Sequence, residues 1–184
     1  MDVIGVDQSF TTTGLAKITA AGIELTRVKS EATDLGDILA TRDRIRFIVG
    51  SVLRFAPREC FSVIEAPIVV RNGKGGAQLE RAWLFGLLVD QLSLRGPIVQ
   101  VRPPTRAMYA TNNGRADKPE VLAAMRAAFP DLRIVDDNVA DALALLSMGA
   151  RHTGAPIDGA PSKKQLAAMT AVRWPETTSR SETK

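Results

Sequence analysis

The stretch Val3-Ile4-Gly5-Val6-Asp7 decides how this chain is built. Its unbroken apolar run is typical of a strand that is covered on both faces and lies near the centre of a mixed sheet. The run ends in a carboxylate, and a charge at the rim of a core is costly unless a cation neutralises it. Gly5 has no side chain, so a backbone segment or a ligand can approach closely there. The plain alternative is that Asp7 only begins the Ser- and Thr-rich turn that follows.

The composition is that of an ordinary globular protein, with 45% hydrophobic and 24% charged residues among 184. This length predicts one domain, or one domain with a tail. The net charge of +4 and the pI near 9.6 favour a polyanionic partner such as nucleic acid.

Cysteine and histidine are too rare for several kinds of site. Cys60 is the single cysteine, which excludes a disulfide framework and a cysteine zinc site and fits a reducing cytoplasm. His152 is the sole histidine, which excludes a multi-histidine metal site. Because there is no apolar stretch of membrane-spanning length and no N-terminal signal pattern, we expect a cytoplasmic protein with no membrane partner.

Hydrophobic periodicity predicts an alternation of strands and helices. In order, it predicts strands at about residues 2–7, 14–19 and 23–29, a helix at 36–56, a strand at 61–65, a helix at 77–94, a strand at 98–101 and helices near 118–129 and 138–151. We interpret Pro103-Pro104 only as the end of the fifth strand. After residue 152 the pattern fades, with one short helix predicted from Ser162 and a polar end.

Acidic residues follow two of the predicted buried strands. Asp7 and Glu65 both stand at the carboxyl end of an apolar strand, the edge of a sheet at which sites form. Asp141 lies inside an apolar helix, where capping cannot explain an uncompensated charge. Converging carboxylates repel one another unless a cation is bound, and oxygen ligands favour Mg²⁺ or Mn²⁺ over zinc. Two such ions support the in-line attack of water on a phosphodiester.

These features resemble the RuvC-type Holliday-junction resolvases, of phage or bacterial type. The resemblance rests on segments 4–7, 14–16, 63–65, 73–86, 102–121 and 137–146, which occur in the same order. It implies an α/β, RNase H-like fold in which a five-stranded mixed sheet has helices on both faces. The nuclease domain would be residues 1–152, with a partly flexible C-terminal extension at 153–184. The implied activity is structure-selective, metal-dependent cleavage of Holliday junctions, forks and flaps, with Mg²⁺ as cofactor and Mn²⁺ as substitute.

The resemblance also implies roles for the acidic residues. Asp7, Glu65 and Asp141 carry over as catalytic ligands of the divalent ions. The family's last pair is usually spaced i, i+3, which selects Asn138 as the partner of Asp141. Asp137 stands one residue earlier and brings a charge, so we favour Asp137 as the fourth ligand while Asn138 stays open.

Basic residues complete the implied site. Lys118 matches a lysine that such resolvases hold near the scissile phosphate, where it would stabilise transition-state charge. Arg106 would be the counterpart of a second basic residue if a one-residue gap is assumed. Further contacts with the DNA backbone are implied for Arg71, Lys74, Arg81 and Arg115. For each arginine taken singly, a solvated surface charge is the simpler explanation.

The helix at 77–94 has a broad apolar face with Gly86 in its middle. The residues of that face are Leu79, Trp83, Leu84, Leu87, Leu88 and Gln91. Packing against the sheet explains most of this face. The resemblance adds dimerisation, and a two-fold homodimer suits a junction in which two strands are cut symmetrically.

Other functions stay open. A junction-binding module that lost catalysis through Asn138, or an RNase H-like nuclease acting on RNA, would share most of these features. The segment 5–12 also looks like the first phosphate loop of actin-like sugar kinases, but those need two domains and a second glycine-rich loop, which 184 residues do not accommodate. Cleavage measured with Mg²⁺ separates an enzyme from a binding module.

Overall fold

The computed structural model describes residues 1–67 and 77–176. Its elements are β1 Val3–Asp7, β2 Thr12–Thr19, β3 Gly22–Lys29, α1 Ile38–Phe55, β4 Phe61–Glu65, α2 Gln78–Ser93, β5 Ile98–Val101, α3 Pro103–Thr111, α4 Lys118–Ala128, α5 Asp137–His152 and α6 Lys163–Thr170. The strand order is β3-β2-β1-β4-β5, with β1, β4 and β5 parallel and β2 antiparallel to both of its neighbours. The predicted five-stranded mixed sheet is therefore confirmed. Within the described residues, no helix has the length and apolar character needed to cross a membrane.

Strand β1 runs through the middle of the protein, and its side chains alternate between two cores. Ile4 and Val6 pack against α1 and α2 on one face of the sheet. Val3 packs on the other face, in the core that contains α5. The predicted arrangement of helices on both faces is confirmed, and both faces of β1 are covered as its apolar run predicts.

Glycines let α5 lie very close to the sheet. A Cβ atom at Gly5 would come within 2.5 Å of the backbone nitrogen of Leu146 and would overlap the carbonyl oxygen of Ala142. A Cβ at Gly14 would overlap the carbonyl oxygen of Asn138 in the same way. Since Gly14 is the ladder partner of Asp7, these contacts hold the first turns of α5 over the carboxyl end of β1.

We expect Gly5→Ala to lower the free energy of unfolding by about 2 to 3 kcal/mol, because the new methyl group would force α5 away from β1. Gly86→Ala is the matched control, since a Cβ on this exposed helical glycine meets nothing within 4 Å. The control is expected to be neutral or to stabilise by up to about 1 kcal/mol through helix propensity. Urea unfolding curves measure both changes, and equal effects of the two variants would contradict the close approach of α5.

Helix α3 is missing from the elements predicted by periodicity. Strand β5 does end at Val101, but Pro103 and Pro104 then occupy the first turn of α3. Proline suits this place because its fixed φ is helical and the N–H that it lacks would have no partner within the helix. The consequence for the site is that Arg106 lies on a helix instead of in a loop.

The described part of the C-terminal extension packs against the rest of the chain. Helix α6 begins with a capping box formed by Ser162 and Gln165. The Trp174 ring stacks on His152 with 4.5 Å between centroids, and its Nε1 donates to the carbonyl of Met169 at 2.8 Å. Trp174 thus anchors the described part of the extension to the rest of the chain. Residues 177–184, the rest of the predicted extension, lie outside the described part.

Candidate active site

Parallel pairing of β1 and β4 brings Asp7 and Glu65 together. Val6 is the ladder partner of Ile64, so the next residue of each strand stands at the same level and on the same face of the sheet. The two carboxyl groups are close enough for Glu65 to help raise the pKa of Asp7. The prediction that these acids meet at one edge of the sheet agrees with this geometry.

Asp141 approaches the pair from α5. It lies on the second turn of the helix and is 3% exposed, while Asp7 is 5% exposed. Burial, followed by the charges of Glu65 and Asp141, raises the pKa of Asp7 well above its usual range. Burial also raises the pKa of Asp141 to about 7, against the lowering effect of Arg106. These shifts show that the carboxylates repel one another and are poorly solvated.

Arg106 lies between two of the three carboxylates. Its Nε donates to Oε1 of Glu65 at 2.6 Å, and its Nη1 donates to Oδ1 of Asp141. The side chain is buried, with the residue 7% exposed. Burial lowers the pKa of Arg106, but the charges of Glu65 and Asp141 outweigh it and the net shift is upward. Arg106 is therefore a permanent cation inside the acidic cluster, hereafter the set Asp7, Glu65 and Asp141.

The acidic cluster makes stability depend on pH. The folded state raises the pKa of Asp7 and Asp141, so it binds protons that the unfolded chain has already lost, and stability falls as pH rises. With metal chelated, we expect wild type to lose about 2 kcal/mol of unfolding free energy between pH 5 and pH 7 relative to Asp141→Asn. Thermal melts in EDTA across this range give the difference. If the difference in unfolding free energy between wild type and Asp141→Asn did not change from pH 5 to pH 7, Asp141 would be ionised over this whole range.

The start of α5 separates the two candidates for the fourth ligand. Asp137 accepts a hydrogen bond from Nζ of Lys118 at 2.5 Å. Burial raises the pKa of Asp137, but the hydrogen bond from Lys118 and its charge outweigh this, and the pKa is lowered. Asn138 lines the same cleft as Asp141, whereas Asp137 does not. The geometry thus favours Asn138 in the cleft and makes Asp137 the partner of Lys118.

The acidic cluster opens into a cleft of about 380 Å³ at the carboxyl ends of β1 and β4. Its lining residues are Asp7, Gln8, Ser9, Glu65, Ala66, Pro67, Arg81, Pro103, Arg106, Lys118, Asn138 and Asp141. A larger cleft of about 710 Å³ lies at the opposite end of the sheet, around Met1 and Arg95. It contains none of the predicted site residues, so the smaller cleft is the candidate active site.

The predicted DNA-contacting residues have different positions. Arg81 is exposed and lines the cleft, and Arg115 is exposed in the loop before α4 but does not line it. Arg106 is buried against the acidic cluster instead of lying on an open surface. Arg71 and Lys74 lie outside the described residues.

Two polar lining residues were not predicted as part of the site. Gln8 and Ser9 follow Asp7 directly and border the cleft. Oε1 of Gln8 is buried without a hydrogen-bond partner among residues 1–67 and 77–176. A sequence signal could have identified Gln8 and Ser9, because they directly follow a strand whose carboxyl end lies at the site.

The donor set fits a hard divalent cation. Asp7, Glu65 and Asp141 supply carboxylate oxygens, and Asn138 adds an amide oxygen, the donor types that Mg²⁺ and Mn²⁺ prefer. The poorly solvated charges of the acidic cluster require neutralisation. Across the described ranges, however, no three acidic, histidine or cysteine side chains are arranged as a ready-made metal site. The carboxylates would have to reorient around an ion, since Arg106 bridges two of them.

Solved structures with a similar fold include Thermus thermophilus RuvC, with a TM-score of 0.60 and 22% identity over 84% of this chain and 98% of that chain. They also include T. thermophilus RuvC in complex with Holliday junction substrate, with a TM-score of 0.57 and 19% identity over 84% of this chain and 97% of that chain. The chain has the RuvC-type RNase H-like fold. No protein-family model and no curated protein matches the sequence. At this level of identity the similarity establishes the fold alone.

Proposed function

We propose that this chain is a metal-dependent, structure-selective endonuclease that resolves Holliday junctions and related branched DNA by hydrolysis. The observation that carries the proposal is the convergence of Asp7, Glu65 and Asp141, from two strands and a helix, on one cleft with Lys118 at its edge. The RuvC-type fold supports it, because the cleft lies at the carboxyl ends of the central strands, where such sheets place their sites.

The acidic cluster would hold Mg²⁺, or Mn²⁺ in its place, with Asn138 or Asp137 as the fourth ligand. When bound, the ions supply charge that activates water and stabilises the oxygen that leaves. The protein carries the three carboxylates on two strands and a helix, so once they have reoriented around an ion, little further reorganisation would be needed during the reaction. Water adds to phosphorus as the bond to the 3′-oxygen breaks, leaving a 3′-hydroxyl and a 5′-phosphate.

Lys118 would act on the phosphate as a fixed positive charge. The hydrogen bond with Asp137 raises the pKa of Lys118 and outweighs its partial burial. A lysine that stays protonated cannot act as a general base, but it can stabilise negative charge that develops on the phosphate oxygens. Arg81 at the cleft and Arg115 outside it would contact neighbouring phosphates and orient the DNA.

The active form would be a two-fold homodimer, because a four-way junction has two strands to cut symmetrically. Leu84 and Leu88 are buried against the sheet, whereas Leu79 and Leu94 at the two ends of α2 are 78% and 77% exposed. These exposed leucines are candidates for the subunit contact. Light scattering should then give twice the chain mass of 19.8 kDa.

The proposed activity is tested with end-labelled four-way junction, fork, flap, linear duplex and RNA–DNA hybrid in Mg²⁺, Mn²⁺ or EDTA. We expect paired symmetric cuts in the junction, slower cutting of forks and flaps, and none in the duplex or in EDTA. Nicked products that DNA ligase reseals would demonstrate the 5′-phosphate and the 3′-hydroxyl.

Two results would redirect the assignment. Tight junction binding without cutting in either metal would identify a binding module, the alternative raised by Asn138. Preferential cutting of the hybrid would identify an RNA-directed nuclease.

A further inference from the structure

The acidic cluster already has a positive partner within the chain. Arg106 is buried at 7% exposure and donates to both Glu65 and Asp141. Both contacts are charge-assisted, and such hydrogen bonds are about twice as strong as neutral ones. The Arg106 guanidinium therefore neutralises part of the negative charge of the acidic cluster.

A divalent cation would need oxygen atoms of the same two side chains. Each carboxylate has lone pairs for more than one partner, but a guanidinium and a dication at one partly buried centre repel each other strongly. Binding of the ion therefore requires Arg106 to give up at least part of its contact with Glu65 and Asp141.

We propose that Arg106 is a built-in counter-ion that competes with the divalent cation for Glu65 and Asp141 and so sets the metal affinity of the site. The inference rests on the proposed function, since it takes the acidic cluster to be the metal site. Arg106 is here a positioning residue, which acts on the metal through the two carboxylates. While no ion is bound, Arg106 holds Glu65 and Asp141 together. When a divalent ion binds, Arg106 is released from these carboxylates and its charge is available to another partner.

Release of Arg106 links metal binding to DNA binding. The side chain lines the cleft, so a phosphate in the cleft offers the displaced guanidinium a new bidentate partner. By linkage, DNA should then raise the affinity for the metal by the same factor as the metal raises the affinity for DNA. Loss of the guanidinium should strengthen metal binding without DNA and weaken this coupling.

The test measures Mn²⁺ affinity at pH 8 without DNA, from the electron paramagnetic resonance signal of the free ion. Arg106→Met removes the charge and keeps much of the volume, and we expect it to bind Mn²⁺ about tenfold or more tightly than wild type, since two charged hydrogen bonds no longer compete. Arg106→Lys keeps the positive charge but lacks the planar guanidinium that can donate to two carboxylates at once. Its Mn²⁺ affinity should therefore lie between those of wild type and Arg106→Met. Mg²⁺ should also raise the melting temperature of Arg106→Met more than that of wild type.

Arg151→Met is the matched control. Arg151 also pairs with an acid, Asp158, but it stands ten residues after Asp141 on α5, a distance of about 15 Å along the helix axis. This variant should keep the Mn²⁺ affinity of wild type. The control separates competition at the site from a general effect of losing an arginine that is paired with an acid.

The outcomes distinguish the inference from the proposed function. If wild type binds Mn²⁺ and both Arg106 variants bind it equally or more weakly, competition by Arg106 is wrong while the metal site stands. If wild type, Arg106→Met and Arg106→Lys all fail to bind Mn²⁺, the metal site itself is wrong. Should Arg106→Met fold poorly, a wild-type affinity in Arg106→Lys would still overturn the inference.

Discussion

Replacing Asp7 by asparagine is expected to lower the rate of junction cleavage by at least about a thousandfold, because a ligand of the proposed ions loses its charge. Asp7 lines the cleft but is only 5% exposed, so it has little surface with which to contact the DNA. Junction affinity should therefore stay within about twofold of wild type. Single-turnover cleavage in Mg²⁺ and a junction-binding titration in EDTA, where no metal contributes to DNA affinity, measure the two quantities separately.

The same substitution should stabilise the metal-free protein. Burial and the acidic neighbours raise the pKa of Asp7. At neutral pH the carboxyl group ionises freely in the unfolded chain but not in the folded protein, so Asp7 lowers the free energy of unfolding. Asparagine has the same shape and no charge. We expect the melting temperature in EDTA to rise by at least about 3 °C, the shift that about 1 kcal/mol produces in a domain of this size.

Asp158→Asn is the control for Asp7→Asn. Asp158 accepts hydrogen bonds from Tyr109 at 2.5 Å and from Arg151, outside the cleft. Its substitution should lower stability and leave cleavage unchanged, the reverse of the Asp7 pattern. Full cleavage by Asp7→Asn would remove Asp7 from the mechanism.

Lys118→Met is expected to reduce the rate of the chemical step by about a hundredfold to a thousandfold, the range found when one transition-state donor is removed. The effect should appear in single-turnover rates at saturating protein, with junction affinity reduced by less than about tenfold because one phosphate contact is lost. Asp137 would then lose its partner at 2.5 Å, so part of the loss would come from a displaced start of α5.

Two further variants separate these contributions. Lys118→Arg keeps the charge and should recover part of the rate. Lys17→Met removes a lysine that is also ion-paired, with Glu24 at 3.2 Å, but which stands about 10 Å from Asp7 along the sheet. It should cleave like wild type. A Lys118→Met rate within threefold of wild type would exclude Lys118 from the chemical step.

Much of the fold follows from sequence patterns with a simple physical cause. The unbroken apolar run of β1 predicts a central strand, and the positions of Asp7 and Glu65 at strand ends predict their meeting, because parallel strands align their carboxyl ends. The sequence also predicts that Asp141 has a compensating partner, because an acid inside an apolar helix is costly without one. All three side chains line one cleft in the structure.

The rest depends on contacts that a sequence pattern does not reveal. Pro103-Pro104 ends one element and begins the next, and helix α3 is needed before Arg106 can point at the acidic cluster. Asp137 and Asn138 are both plausible from spacing, and only the rotation of α5 decides which one enters the cleft. Charge alone favours Asp137, but Lys118 engages that charge at the rim.

The most direct test is an anomalous scattering map from crystals grown with Mn²⁺. We expect a manganese peak in the cleft, bound by oxygen atoms of Asp7 and of Glu65 or Asp141, with the Arg106 guanidinium moved away from the metal-bound carboxylate. Crystals of Asp7→Asn should lose or weaken that peak. A wild-type map with no manganese among these three side chains, at a concentration that supports cleavage, would contradict the account.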